Sequence, residues 1–75
     1  MDDLLKIMKG LHPGVDFAVR TDLIDAGVLD SFDIISLIAE IDSTFDVQIP
    51  AEEIIPENFN SARSLQALIS RLADD

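Results

Sequence analysis

Few side chains in this 75-residue chain are of types that could do chemistry. There is no cysteine, and the single histidine, His12, lies in a His-Pro-Gly turn, where a solvated surface residue is expected rather than a catalytic base. Among the hydroxyls, Ser31 stands apart. It follows Asp30 at the end of a loop, in GVLDSF (27–32), just where an apolar helix should begin. Backbone N–H groups and the helix dipole at such a start favour a phosphate, so a phosphodiester on the Ser31 hydroxyl is well placed. A plainer reading is also open. Asp30 can cap the helix with Asp33 as capping-box partner, and Ser31 then merely occupies the first turn. Asp42-Ser43 repeats the pair inside a helix, with neither loop nor glycine before it, and there the hydroxyl is unremarkable.

Other chemistries lack parts. A calcium loop starting at Asp22 would have Ile24 and Ala26 where its third and fifth ligands belong. A serine hydrolase needs Gly-x-Ser-x-Gly, but the residues two before and two after Ser31 are Leu29 and Asp33. There is no phosphate-binding glycine loop, no HExxH and no thiolate zinc site. The chain is not expected to be an enzyme by itself.

The elements that must position Ser31 follow from periodicity. A first helix is expected from about Asp3 to Leu11, with Leu4, Leu5, Met8 and Leu11 inward and Asp2 or Asp3 as cap. After the turn at Pro13-Gly14 comes a long connection to Asp30, which Phe17, Val19, Leu23, Ile24, Val28 and Leu29 should pin to a core. Within it, TDLIDAG predicts a helical turn with Thr21 as cap and Gly27 as stop. The second helix, Ser31 to Phe45, carries a core stripe of Ile34, Leu37, Ile38, Ile41 and Phe45. Pro50 suits the first position of a short helix, PAEEII, with Glu52 and Glu53 near its positive end and Pro56 as its stop. A last helix should begin after Asn60 or Ser61 and run to about Leu72 with Leu65, Leu68, Ile69 and Leu72 inward. The pattern predicts an all-α fold in a single domain, 1–75: a small four-helix bundle of three main helices and a short third one.

The second helix has more apolar surface than one stripe. Phe32, Ile35 and Ala39 form another strip about 125° around the axis, bordered by Asp42. An exposed apolar strip edged by acids has the composition of a docking surface, unless the helix buries both faces. Charge points the same way. Fifteen acids face five bases, for a net charge of −10. No lysine or arginine lies between Thr21 and Asn60, where ten of the acids fall. Such a field repels nucleic acid and anionic membranes and steers the chain towards basic protein surfaces. It also disfavours self-association, so a monomer is expected. No apolar run approaches the roughly twenty residues of a membrane span, and no secretory signal is read, which points to the cytoplasm.

The run DLIDAGVLDSFDIISLIAEIDSTFDVQIPAEEI, followed by PENFNS, resembles the phosphopantetheine-binding carrier proteins, that is, acyl, peptidyl, aminoacyl and D-alanyl carriers. The likeness covers almost the whole chain, and its core is Gly-x-x-Asp-Ser followed by an aliphatic helix. The resemblance implies that Ser31, with Asp30 as its motif neighbour, receives 4′-phosphopantetheine from coenzyme A through a phosphopantetheinyl transferase. It implies that the arm supplies the thiol the chain lacks and carries an acyl or aminoacyl group as a thioester. The second helix and the loop before it would then dock onto partner enzymes, through Phe32, Ile35, Ala39, Asp42 and Glu53. GVLDS and PENFNS are closest in motif to stand-alone D-alanyl and aminoacyl carriers. Fatty-acid-type carriers commonly have glutamate at the position of Ser36 and leucine at that of Phe32, though Asp33 is shared with them. The implied partners are the transferase and an adenylating ligase, or an acyltransferase or synthase, with a basic docking face in a dedicated biosynthetic pathway. The alternative is an acidic helical adaptor that binds partner proteins through the same strip without a prosthetic group.

Overall fold

The computed structural model describes residues 2–73. Met1, Asp74 and Asp75, which the expected single domain includes, lie outside the described residues. All regular structure among them is helical: α1 (Asp2–Leu11), α2 (Ser31–Phe45), α3 (Pro56–Phe59) and α4 (Ala62–Ala73), with one 3₁₀ turn at Ala51–Glu53. The expected all-α four-helix architecture holds. α1 packs against α2 and α4, and α3 lies against α4.

Apolar periodicity explains these contacts. Leu4 and Met8 of α1, Leu37 and Ile41 of α2, and Leu65, Leu68 and Ile69 of α4 are buried, each set on one face of its helix. Leu5, Leu11, Ile34, Ile38, Phe45 and Leu72 are half-buried around that centre. With no disulfide available, burial of these aliphatic side chains holds the fold, at roughly 1.5–3 kcal/mol for each one fully removed from water.

The connection between α1 and α2 is fastened much as expected. Phe17, Leu23 and Leu29 are buried and Ile24 and Val28 half-buried, but Val19 is 70% exposed and pins nothing. Residues 23–27 make a helical turn in which the Ala26 N–H donates to the Asp22 carbonyl at 2.7 Å and that of Gly27 to Ile24 at 3.0 Å. Gly27 closes it at φ 74°, in the left-handed region that glycine adopts at no steric cost. Thr21 does not cap this turn. The N–H groups of Ile24 and Asp25 donate instead to Asn60 Oδ1, at 2.9 and 3.1 Å, and that of Leu23 donates to the Asn60 carbonyl at 2.9 Å. Asn60 is therefore spent on the loop. Ser61 alone caps α4, its Oγ accepting from the Ser64 N–H at 3.0 Å.

Two further boundaries differ from expectation. Asp2 and Asp3 lie inside the first turn of α1, where they face its positive end, rather than before it. PAEEII is not one helix: Pro50 precedes a single 3₁₀ turn, and α3 begins at Pro56. The cause is the restriction proline places on its predecessor. Ile55 is driven to an extended conformation (φ −128°, ψ 154°), which breaks a helix running into Pro56, while proline itself suits a first helical position.

Candidate functional site

The loop and α2 meet at Asp30, whose extended backbone (φ −100°, ψ −174°) delivers the chain into the helix. Asp30 Oδ1 accepts from the Asp33 N–H at 2.9 Å, and Asp33 Oδ2 accepts from the Asp30 N–H at 3.2 Å. The reciprocal capping box read from the sequence is thus present. Ser31 is the first residue of α2, is exposed, and its hydroxyl makes no hydrogen bond with the described residues. A nucleophilic oxygen at the positive end of a 15-residue helix, relieved of the capping task, fits a covalently attached phosphodiester.

His12 is not the solvated turn residue expected. Its Nε2 lies 2.7 Å from Asp33 Oδ2, and the two side chains are 35% and 19% exposed. This hydrogen bond, opposed by partial burial and helped by the Asp30 N–H, holds the Asp33 carboxyl below the usual aspartate range. A pair separated by 21 residues could not be read from spacing alone, because it depends on where α1 ends in space.

The second apolar strip of α2 is exposed. Phe32 is 79% and Ile35 64% exposed, and Ala39 is exposed as well. The helix therefore does not bury both faces. Asp42 beside the strip is exposed. Glu53 differs: it is half-buried, and its carboxylate accepts from Arg71 at 2.6 and 3.2 Å, which holds its carboxyl below the usual glutamate range. Asp22 is similarly engaged by Arg20 at 2.9 and 3.1 Å. Of the ten central acids, then, Asp22, Asp33 and Glu53 already have partners of the opposite sign or an imidazole, and the rest are exposed.

One feature of the site has no counterpart in the sequence reading. Ile24, Ile34, Ile54, Ile55, Pro56 and Phe59 line an apolar cleft of about 220 Å³ beside the first turn of α2. Ile54 and Ile55, 38% and 40% exposed, form its lip. Its only signal in the sequence was the apolar pair before Pro56, which belongs to no helical stripe. Among the described residues no cluster of acids and histidine could hold a metal ion, and no helix is long and apolar enough to cross a membrane.

The family model described as "phosphopantetheine attachment site" matches residues 3–72. The chain is similar to aminoacyl carrier protein 1 of Bradyrhizobium diazoefficiens, 33% identical over 70 residues that cover 88% of this chain and 77% of that protein. It is also similar to the D-alanyl carrier protein of Streptococcus thermophilus, 39% identical over 51 residues, 68% of this chain and 65% of that protein. The second alignment thus spans slightly less than two thirds of the relative it matches.

Proposed function

The chain belongs to the phosphopantetheine attachment-site family, whose prosthetic group is 4′-phosphopantetheine, and from that premise we propose that Ser31 is the residue that bears it. The observation that carries this reading is the exposed Ser31 hydroxyl, free of hydrogen bonds at the start of α2 while Asp30 and Asp33 perform the capping. When bound, the arm supplies a thiol, on which an acyl or aminoacyl group travels as a thioester.

The chain's own residues divide the remaining work. Asp30 and Asp33 fix the direction from which the serine oxygen leaves the helix. First-turn N–H groups not engaged by Asp30 favour the negative charge of a phosphodiester. Phe32, Ile35 and Ala39 offer an apolar centre for a partner, and Asp42 and the other exposed acids steer towards a basic docking face. Glu53, already bound to Arg71, contributes less charge to that face than its exposed neighbours.

The reading extends to cargo and partners. We place a small cargo, an aminoacyl or short acyl group, ahead of a long acyl chain. The names of the aminoacyl and D-alanyl relatives support that choice. On this proposal the protein is a monomeric, cytoplasmic carrier without catalysis of its own, loaded by a phosphopantetheinyl transferase and then by an adenylating ligase. Incubation with coenzyme A and a broad-specificity transferase, followed by intact-mass measurement, should show a gain of one phosphopantetheine that Ser31→Ala abolishes. A wild-type chain that gains no mass, or a gain that survives Ser31→Ala, overturns the assignment and leaves the acidic adaptor in its place.

A further inference from the structure

The Asp30–Ser31 turn is tied to a residue of another element. The His12 N–H donates to the Met8 carbonyl at 3.1 Å, so His12 rides on the last turn of α1. Its ring meets Asp33 Oδ2 at 2.7 Å, the same oxygen that accepts the Asp30 N–H at 3.2 Å. Asp33 in turn donates its N–H to Asp30 Oδ1. An unbroken chain of contacts thus runs from the end of α1 through one carboxylate to the residue immediately before Ser31. Asp30 and Asp33 between them cap α2, but a box closed within one turn does nothing to orient that turn relative to the rest of the molecule. Among the described residues, the imidazole is the one side chain from another element that hydrogen-bonds the box.

We infer that His12 is a positioning residue for the modification of Ser31: it clamps the Asp33 carboxylate and so keeps the Asp30–Ser31 turn in the conformation a transferase accepts. The inference rests on Ser31 being the attachment residue. It adds a residue 19 positions earlier in the chain, whose ring hydrogen-bonds Asp33 and not Ser31. A turn that spends less time in the accepted conformation binds with an apparent affinity reduced by that fraction, so the effect falls on KM for the carrier rather than on kcat.

The variants are His12→Leu, which removes the ring nitrogens, and His12→Gln, whose amide N–H reaches the position of Nε2. For transfer from coenzyme A by a broad-specificity transferase, His12→Leu should raise KM for the carrier about five-fold, the equivalent of one hydrogen bond, with kcat within about two-fold. His12→Gln should restore KM, and in an Asp33→Ala background His12→Leu should have no further effect. Amide hydrogen exchange of Asp33 in the unmodified protein should be faster in His12→Leu than in wild type, at unchanged helical circular dichroism. An unaltered KM in folded His12→Leu, a His12→Gln variant as impaired as His12→Leu, or unaltered Asp33 exchange overturns the inference while the Ser31 assignment stands. Failure of the wild-type chain to accept the arm strikes the Ser31 assignment instead, and with it the consequence for modification; the exchange measurement then judges the clamp alone.

Discussion

The two ends of α2 each carry an Asp-Ser pair, and the helix treats them in opposite ways. At the N-terminal end Asp30 lies outside the helix, its carboxylate caps Asp33, and Ser31 is left with a free hydroxyl at the positive pole. At the other end Asp42 and Ser43 both lie within the last turn, neither side chain makes a hydrogen bond with the described residues, and the Asp42 backbone carbonyl accepts the Asp46 N–H at 2.9 Å. Asp46 ends the helix in the left-handed region (φ 56°, ψ 43°), which aspartate enters more readily than most residues. The same dipeptide is thus an entry device in one place and ordinary exposed surface in the other. What separates them is the polarity of the helix and the loop in front, not the residues themselves.

The sharpest way to break this comparison is to find the arm on the wrong serine. Loading should vanish in Ser31→Ala and persist in Ser43→Ala, and peptide mapping of the loaded protein should place the added mass on Ser31. Next in size is the apolar strip that starts at the N-terminal pair. Ile35→Arg should lower kcat/KM for the transferase by roughly ten-fold or more, as loss of a central interface side chain does, while the circular dichroism stays helical. Collapse of the helix instead would mean that the strip belongs to the core. Smaller still is the stability difference between the two aspartates. Asp30→Ala should cost about 1 kcal/mol in denaturant unfolding through loss of the cap, whereas Asp42→Ala should stay within about 0.5 kcal/mol.

The smallest expected effect is acid-linked and confined to the N-terminal end. Asp33 titrates below its ordinary value of 3.8, chiefly because His12 donates to it. A depressed carboxyl stabilises the fold in full above that ordinary value, and its contribution is lost as pH falls through the lower, folded value. NMR titration of the side-chain carboxyl should therefore find the Asp33 midpoint below 3.8 in wild type, and closer to it in His12→Leu.

How much of this was legible in the sequence depends on the range of the interaction. The capping box, the core stripes of α1, α2 and α4, and the exposed Phe32–Ile35–Ala39 strip all arise from neighbours within one or two helical turns, and periodicity carries such information directly. The division at Pro56 is just as local. Pro56 reads as the stop of a PAEEII helix, whereas in the structure it opens α3 and PAEEII keeps only one 3₁₀ turn. The His12–Asp33 pair, the Asn60 contacts and the apolar cleft arise only when segments distant in the chain are brought together. Val19 shows the limit from the other side, because an apolar residue in a fastened loop still ends up in solvent.

The way Asn60 grips the approach to Ser31 has a consequence for how such a protein can change over time. Of its four hydrogen bonds to residues 23–25, three accept from backbone N–H groups, and one longer bond, from the Asn60 amide to Asp25 Oδ2 at 3.3 Å, reads a side chain. A backbone grip is indifferent to most substitutions at the residues it holds. The exposed positions of that loop, Asp25 and Ala26, are therefore open to mutation without loosening the platform beneath Ser31. Side chains there can change while an asparagine 35 residues further along holds the backbone beneath them in place.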